Sequence, residues 1–207
     1  MAIGEKKITK RELDAQETKN NVFITAIKLF SEYGFETVTV DDITKRAGVS
    51  KGTFYTHFTS KDSVLLEQYN KIEERYMEAF KNFHPDTPAS ERLRVLVATM
   101  CEYCSNVCGV NVMKVVYMNQ IGLGDKERII NENYTRTPHE LLEQIVELGF
   151  SSGEFKVKLD CDTLVEYLTR FMRSLIYDWC LFGGERDLEK MGQEFFDLII
   201  KWLKMPQ

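Results

Sequence analysis

The chain predicts an all-α protein. Apolar residues recur at three- and four-residue spacings through most of its 207 residues, the period of a helix with one buried face. Four Pro and 12 Gly are too few for a loop-rich β-protein. Only residues 154–159 alternate like a strand, and that run is too short to pair alone. With 43% apolar and 29% charged residues the composition is globular, and a chain of this size buries roughly 70% of its unfolded surface without a metal or disulfide staple.

Residues 1–16 lack apolar periodicity and read as a solvated arm, although Lys6, Lys7, Lys10 and Arg11 could touch phosphates. A first helix is expected over 17–33, with Val22, Ile24, Ala26, Ile27, Leu29, Phe30 and Tyr33 recurring at helical spacings and Gly34 as its stop. Thr39 followed by Asp42 is an N-cap signature for a short helix over 40–46. Gly48 then ends it and Ser50 caps another over 51–58. After Thr59 and Ser60 a long helix keeps its period to Phe83, ending before His84-Pro85-Asp86-Thr87-Pro88. Further helices are expected over 89–108, 110–121, 126–134, 138–148, 161–182 and 188–204, separated mostly by Gly or Pro. No internal repeat or low-complexity segment interrupts them.

No stretch reads as about 18 apolar residues of a membrane span, and the N-terminus does not resemble a secretion signal. A cytoplasmic protein is expected. Five Cys is an odd number without such a signal, which fits reduced thiols. The net charge of −5 is unevenly placed: residues 1–60 hold 9 Lys and Arg against 8 Asp and Glu, residues 61–207 hold 18 against 24. The acidity therefore belongs to the larger C-terminal part, and a nucleic-acid partner for the N-terminal part stays open.

Two short helices joined by a tight Gly-containing turn form a helix-turn-helix, whose second helix can enter the DNA major groove. On that helix Phe54 and Phe58 form the buried pair. Gly52 lets backbone approach DNA, Thr53 can meet a base edge or thymine methyl, and Lys51, Tyr55 and His57 can bond phosphate oxygens.

These residues resemble the TetR family of transcription regulators. The likeness rests on Phe30-Ser31-Glu32-Tyr33-Gly34-Phe35, then Thr39-Val40-Asp41-Asp42-Ile43-Thr44-Lys45-Arg46-Ala47-Gly48-Val49-Ser50, continuing through Phe58 to Lys61. Thr44 departs from the usual Ala. The strong resemblance covers residues 17–66, and it implies a three-helix DNA-binding domain over 1–66 and a helical ligand-binding and dimerisation domain over 67–207. By its implication Thr39, Thr44, Ser50, Lys51, Gly52, Thr53, Tyr55, Thr56, His57 and Lys61 face double-stranded DNA, while Ile43, Ala47, Val49, Phe54 and Phe58 are core.

In the last two helices Leu164, Leu168, Phe171, Leu175 and Trp179, with Phe195 and Ile199, form wide apolar stripes. TetR-like proteins pair these helices into a four-helix bundle, which implies a homodimer on a near-palindromic operator. Residues 149–155 are similar to the Gly-x-x-x-Gly-Glu-Phe connection that precedes such a pair. Among the middle helices Met100, Tyr103, Met113, Tyr117, Met118 and Tyr134 could line a cavity for a small hydrophobic or aromatic inducer, or simply fill the core.

Cys101, Cys104 and Cys108 share a helix face that could sense oxidants or a soft metal, but no His or further Cys stands at ligand spacing, so buried small hydrophobes are the expectation. His139 and Glu143 read as a helix-surface contact rather than a zinc site. The sequence carries no phosphate loop, dinucleotide fingerprint or nucleophile constellation that would point to an all-helical enzyme. The expected function is therefore a ligand-released dimeric repressor that needs no cofactor.

Overall fold

The computed structural model describes residues 9–121 and 136–206. Among them every regular element is helical: α1 (Lys10–Tyr33), α2 (Val40–Ala47), α3 (Lys51–His57), α4 (Lys61–Lys81), α5 (Ala89–Glu102), α6 (Gly109–Ile121), α7 (Arg136–Ser151), α8 (Cys161–Leu181) and α9 (Leu188–Lys204). The all-α expectation holds. The helix expected over 126–134 lies outside the described residues.

The chain divides into two compact units inside α4, between Glu67 and Gln68. In the first, Phe30, Ile43 and Phe54 are at most 1% exposed, and the Phe30 and Phe35 rings meet edge to face at 4.9 Å. The Lys61 ammonium donates to the carbonyls of Phe35, Glu36 and Val38 at 2.7, 3.3 and 3.2 Å and stands 4.5 Å from the Phe35 ring centroid. One cation thereby closes the loop between α1 and α2 over the start of α4.

Helix α1 begins at Lys10 rather than at Glu17. Thr9 Oγ1 accepts from the Glu12 amide at 3.3 Å while the Glu12 carboxylate accepts from the Thr9 amide at 2.7 Å. This capping box needs no apolar partner, and residues 10–16 are exposed all round, which is why periodicity misses them.

In the second unit, α5 packs mainly on α9 and α7, and α7 on α8. The helix expected over 89–108 changes register: Tyr103–Cys108 is a π-helical stretch, followed directly by α6 from Gly109. Contrary to the sequence reading, the run Ala89–Met118 is long and apolar enough to cross a membrane by length and composition. Many of its apolar side chains, among them Leu93, Leu96, Val97 and Val112, are core, while Met118 at its end is exposed.

Helix α7 continues through Gly149 to Ser151, past the expected stop at residue 148. A side chain at Gly149 would meet the Phe155 ring at 2.2 Å. Phe155 and Val157 are buried while Lys156 and Lys158 are exposed, so the strand-like alternation is real. The segment has no regular secondary structure and joins no sheet; its Lys156 amide donates to the Leu203 carbonyl at the end of α9 (2.7 Å).

Candidate nucleic-acid interface and ligand cavity

The α2–α3 pair is set by contacts within a few residues. Thr39 caps α2 by accepting from the Asp42 amide at 3.2 Å, and Asp42 returns a carboxylate to the Thr39 amide at 2.9 Å. Hydrogen bonds from the Thr39 hydroxyl and amide hold the Asp42 carboxyl below its ordinary pKa. Gly48 takes φ 69° and ψ 29°, the left-handed conformation that turns the chain out of α2 at little cost without a Cβ. Ser50 Oγ then accepts from the Thr53 amide at 3.0 Å and starts α3. Asn21 Nδ2 donates to the Ala47 carbonyl at 3.0 Å, tying the end of α2 to α1.

This geometry leaves Thr39, Ser50, Lys51, Gly52, Tyr55 and Thr56 exposed, with Thr53 and His57 half-buried. Tyr55 keeps 55% of its surface open although its ring packs edge-on against Phe54 at 5.4 Å. Thr56 Oγ1 donates to the Gly52 carbonyl at 2.9 Å, and the residue stays exposed. The Lys51 ammonium lies 2.6 Å from Asp41 Oδ1, and the hydrogen bond and charge of Asp41 raise its pKa.

Thr44 and Lys61 stand apart from this set. Thr44 is 6% exposed and donates to the Asp41 carbonyl at 3.1 Å, while Lys61 binds the α1–α2 loop. Ala47 and Val49 are half-buried, whereas Ile43, Phe54 and Phe58 are core. Lys45 and Arg46, exposed in the last turn of α2, are cations adjoining the turn that the sequence reading did not single out.

The second unit holds a cavity of about 160 Å³ walled by α4, α5 with the π-helical stretch, α6, α7 and α8. Met100, Tyr103, Met113 and Tyr117 line it, as do Leu142, Met172 and Ile176. Met118 is 52% exposed and does not line it; Tyr134 lies outside the described residues. The α4 wall contributes Gln68, Ile72 and Tyr76, which repeat every four residues along one helix face. That spacing carries a polar Gln inside an apolar stripe, the signal by which Gln68 could have been found.

Cys104 also lines the cavity, and Cys101, Cys104 and Cys108 are all buried. Burial pushes the Cys101 and Cys108 thiols up to about 12 and raises Cys104 well above its ordinary value. Such groups remain thiols, whereas redox or metal chemistry needs the thiolate. His139 and Glu143 form an exposed contact at 3.3 Å one helical turn apart.

On α8 and α9, Leu164, Leu168, Leu175, Trp179 and Ile199 are buried within the single chain, and Trp179 Nε1 donates to the Arg186 carbonyl at 2.9 Å. Phe171 and Phe195 are half-buried, their rings edge to face at 5.8 Å. Beside them Tyr167, Phe171, Leu198, Ile199 and Trp202 line a shallow apolar groove, with Leu198 64% exposed.

Comparison with known proteins bears on the helix-turn-helix region and on the fold. Residues 24–67 match the family model for bacterial regulatory proteins of the tetR family. The chain is 35% identical over 80 residues to the uncharacterized HTH-type transcriptional regulator YerO of Bacillus subtilis (strain 168), an alignment spanning 39% of this chain and 28% of that protein. It is 21% identical over 178 residues to the fatty acid metabolism regulator protein of Bacillus subtilis (strain 168), covering 84% of this chain and 90% of that protein. The crystal structure of the transcriptional regulator FadR from Bacillus subtilis in complex with stearoyl-CoA shares the fold, with a TM-score of 0.71 at 18% identity over 88% of this chain and 98% of that one.

Proposed function

Given that the chain is a TetR/AcrR-like transcriptional regulator, we propose that it is a homodimeric repressor, not an enzyme, which leaves a palindromic operator when a small apolar ligand enters the α4–α8 cavity. The observation that carries the DNA reading is the exposed set Lys51, Gly52, Tyr55 and Thr56 on a helix whose start and orientation are set by Ser50 and Gly48. A short helix bearing a cation, a phenol and a close-approach glycine on its open face suits a major groove, with Lys51 and Tyr55 on phosphates and Thr53 and Thr56 toward base edges. Thr39 and Ser50 act first as caps, and Lys61 positions the unit.

The groove formed by Tyr167, Phe171, Leu198 and Trp202 supports a second copy packing α8 and α9 across a two-fold axis. Two reading helices then meet half-sites one or more DNA turns apart, roughly 34–36 Å per turn. The stearoyl-CoA in the FadR structure is that protein's ligand; here about 160 Å³ suits a compact molecule, since an apolar cavity of about 150 Å³ accommodates benzene. Helix α4 begins in the first unit and walls the cavity in the second, so a ligand that prefers one α4 position shifts the population of DNA-competent dimers. The protein works in the cytoplasm, where its operator lies.

Selection of genomic fragments by the purified protein at near-physiological salt tests this reading. An enriched near-palindrome, bound by a dimer in sedimentation and less tightly at higher salt, is expected. Folded, dimeric protein that enriches no sequence over random fragments defeats it.

A further inference from the structure

Most polar groups on the wall of the α4–α8 cavity are already engaged. Tyr103 Oη donates to the Gln68 carbonyl at 3.1 Å, Tyr117 Oη to the Arg173 carbonyl at 2.9 Å and Thr169 Oγ1 to the Val165 carbonyl at 2.8 Å. Glu73, His139 and Arg173 are exposed, so formal charge stays at the rim. Gln68 and Tyr76, both on α4, differ from these: they are 3% and 2% exposed, and each keeps a donor without a hydrogen-bond partner among the described residues.

For Gln68 the free atom follows from its neighbour. Cys108 Sγ lies 3.2 Å from Gln68 Oε1, and because burial pushes that thiol up to about 12 it remains protonated and donates. The carboxamide oxygen is thereby occupied and Nε2 is left over. Burial likewise raises the Tyr76 phenol well above its ordinary pKa, so it stays a neutral donor. The two residues stand eight positions apart on α4, about 12 Å along its axis, and so serve opposite ends of a small ligand rather than one atom of it.

We propose that the cavity selects an uncharged molecule of about single-ring size that carries hydrogen-bond acceptor oxygens at both ends of an apolar body, one for Gln68 Nε2 and one for Tyr76 Oη. Met100, Met113, Leu142, Met172 and Ile176 supply the apolar walls for its body. Gln68 and Tyr76 offer a carboxylate no charge, and the cavity's cationic or protonatable lining residues, Arg173 and His139, are exposed ones, so a neutral acceptor suits the buried pair better. The inference rests on the reading of this cavity as the effector site, and it names Gln68 and Tyr76 as the residues that choose the effector.

Four probes of nearly equal shape separate the possibilities by calorimetric titration of the full-length protein: 1,4-diethylbenzene, 4-ethylacetophenone, 1,4-diacetylbenzene and 4-ethylbenzoate. Affinity is expected to rise about five-fold with each added ketone and to be lowest for the carboxylate. Tyr76→Phe, which removes only an unpartnered hydroxyl, and Gln68→Met should each remove one of the two steps without weakening diethylbenzene binding. A flat series, a carboxylate that binds best, or variants that keep the full preference would overturn the proposal while leaving the cavity an effector site. If no probe binds, or if binding survives a Met172→Trp substitution that fills the cavity, the effector reading itself fails and the proposal with it.

Discussion

Lys51 on α3 and Asp41 on α2 form an ion pair of 2.6 Å on the exposed face of the helix-turn-helix. Both side chains are more than half exposed, so the pair does little for stability, and in DNA its carboxylate is the wrong sign to stand beside phosphates. Asp41→Asn should therefore tighten operator binding, whereas Lys51→Ala should weaken it for all sequences alike and lower the salt slope by about one. Fluorescence anisotropy over a salt series checks both. Equal slopes in wild type and Lys51→Ala would remove Lys51 from the phosphate contacts.

Lys61 should matter to folding before it matters to DNA. Its ammonium bonds three carbonyls of the loop between α1 and α2, and deleting a charged donor leaves those acceptors short of partners. Lys61→Met should destabilise the first unit by about 2 kcal/mol, read as a lower urea midpoint. Operator affinity measured well below that midpoint should change little; a large loss from fully folded protein would instead place Lys61 on the DNA.

Gly149 is a position where space decides the residue. Gly149→Ala would drive a methyl into the Phe155 ring, 2.2 Å from Cδ2. The aromatic ring is buried, and the Phe155 amide donates to the Gly149 carbonyl at 2.9 Å, which fixes the two backbones side by side, so relief requires the ring to move against its packed neighbours. A loss of about 1–3 kcal/mol is expected from thermal melts, and Phe155→Leu in the same chain should recover part of it.

Glu154 should make the second unit sensitive to acid. Burial pushes its carboxyl up, but hydrogen bonds from the Ser90 hydroxyl and amide and from Lys204, 2.9 Å away, outweigh that and leave it below the usual range. With the folded value depressed, its contribution is present above the unfolded carboxyl value of about 4.3 and disappears as pH falls through the folded value. Urea midpoints followed from pH 7 down to pH 3 should fall less steeply below about pH 4.3 in Glu154→Gln than in wild type.

The helix-turn-helix was legible in the sequence because its determinants are local. Thr39 with Asp42, Gly48, and Ser50 with Thr53 each act within a turn of chain, so their spacing alone states where α2 and α3 begin and end. Helical periodicity likewise announced the described later helices, α5 to α9, and much of what they bury. It did not announce α1 before residue 17, where a capping box starts a helix with no buried side to give it a period.

Tertiary structure decided what each stripe is buried against. Leu164, Leu168 and Trp179 looked available for a second chain yet are covered by their own, while Leu198 and Trp202 are left at the groove. Met118 turned outward and Gln68 turned into a cavity, although both lie on helices with apolar faces. Lys61 found its acceptors some 26 residues earlier in the chain. A periodic pattern records that a residue leaves water; which surface receives it depends on helix packing between distant segments, and that is set by shape and unsatisfied polar groups rather than by spacing.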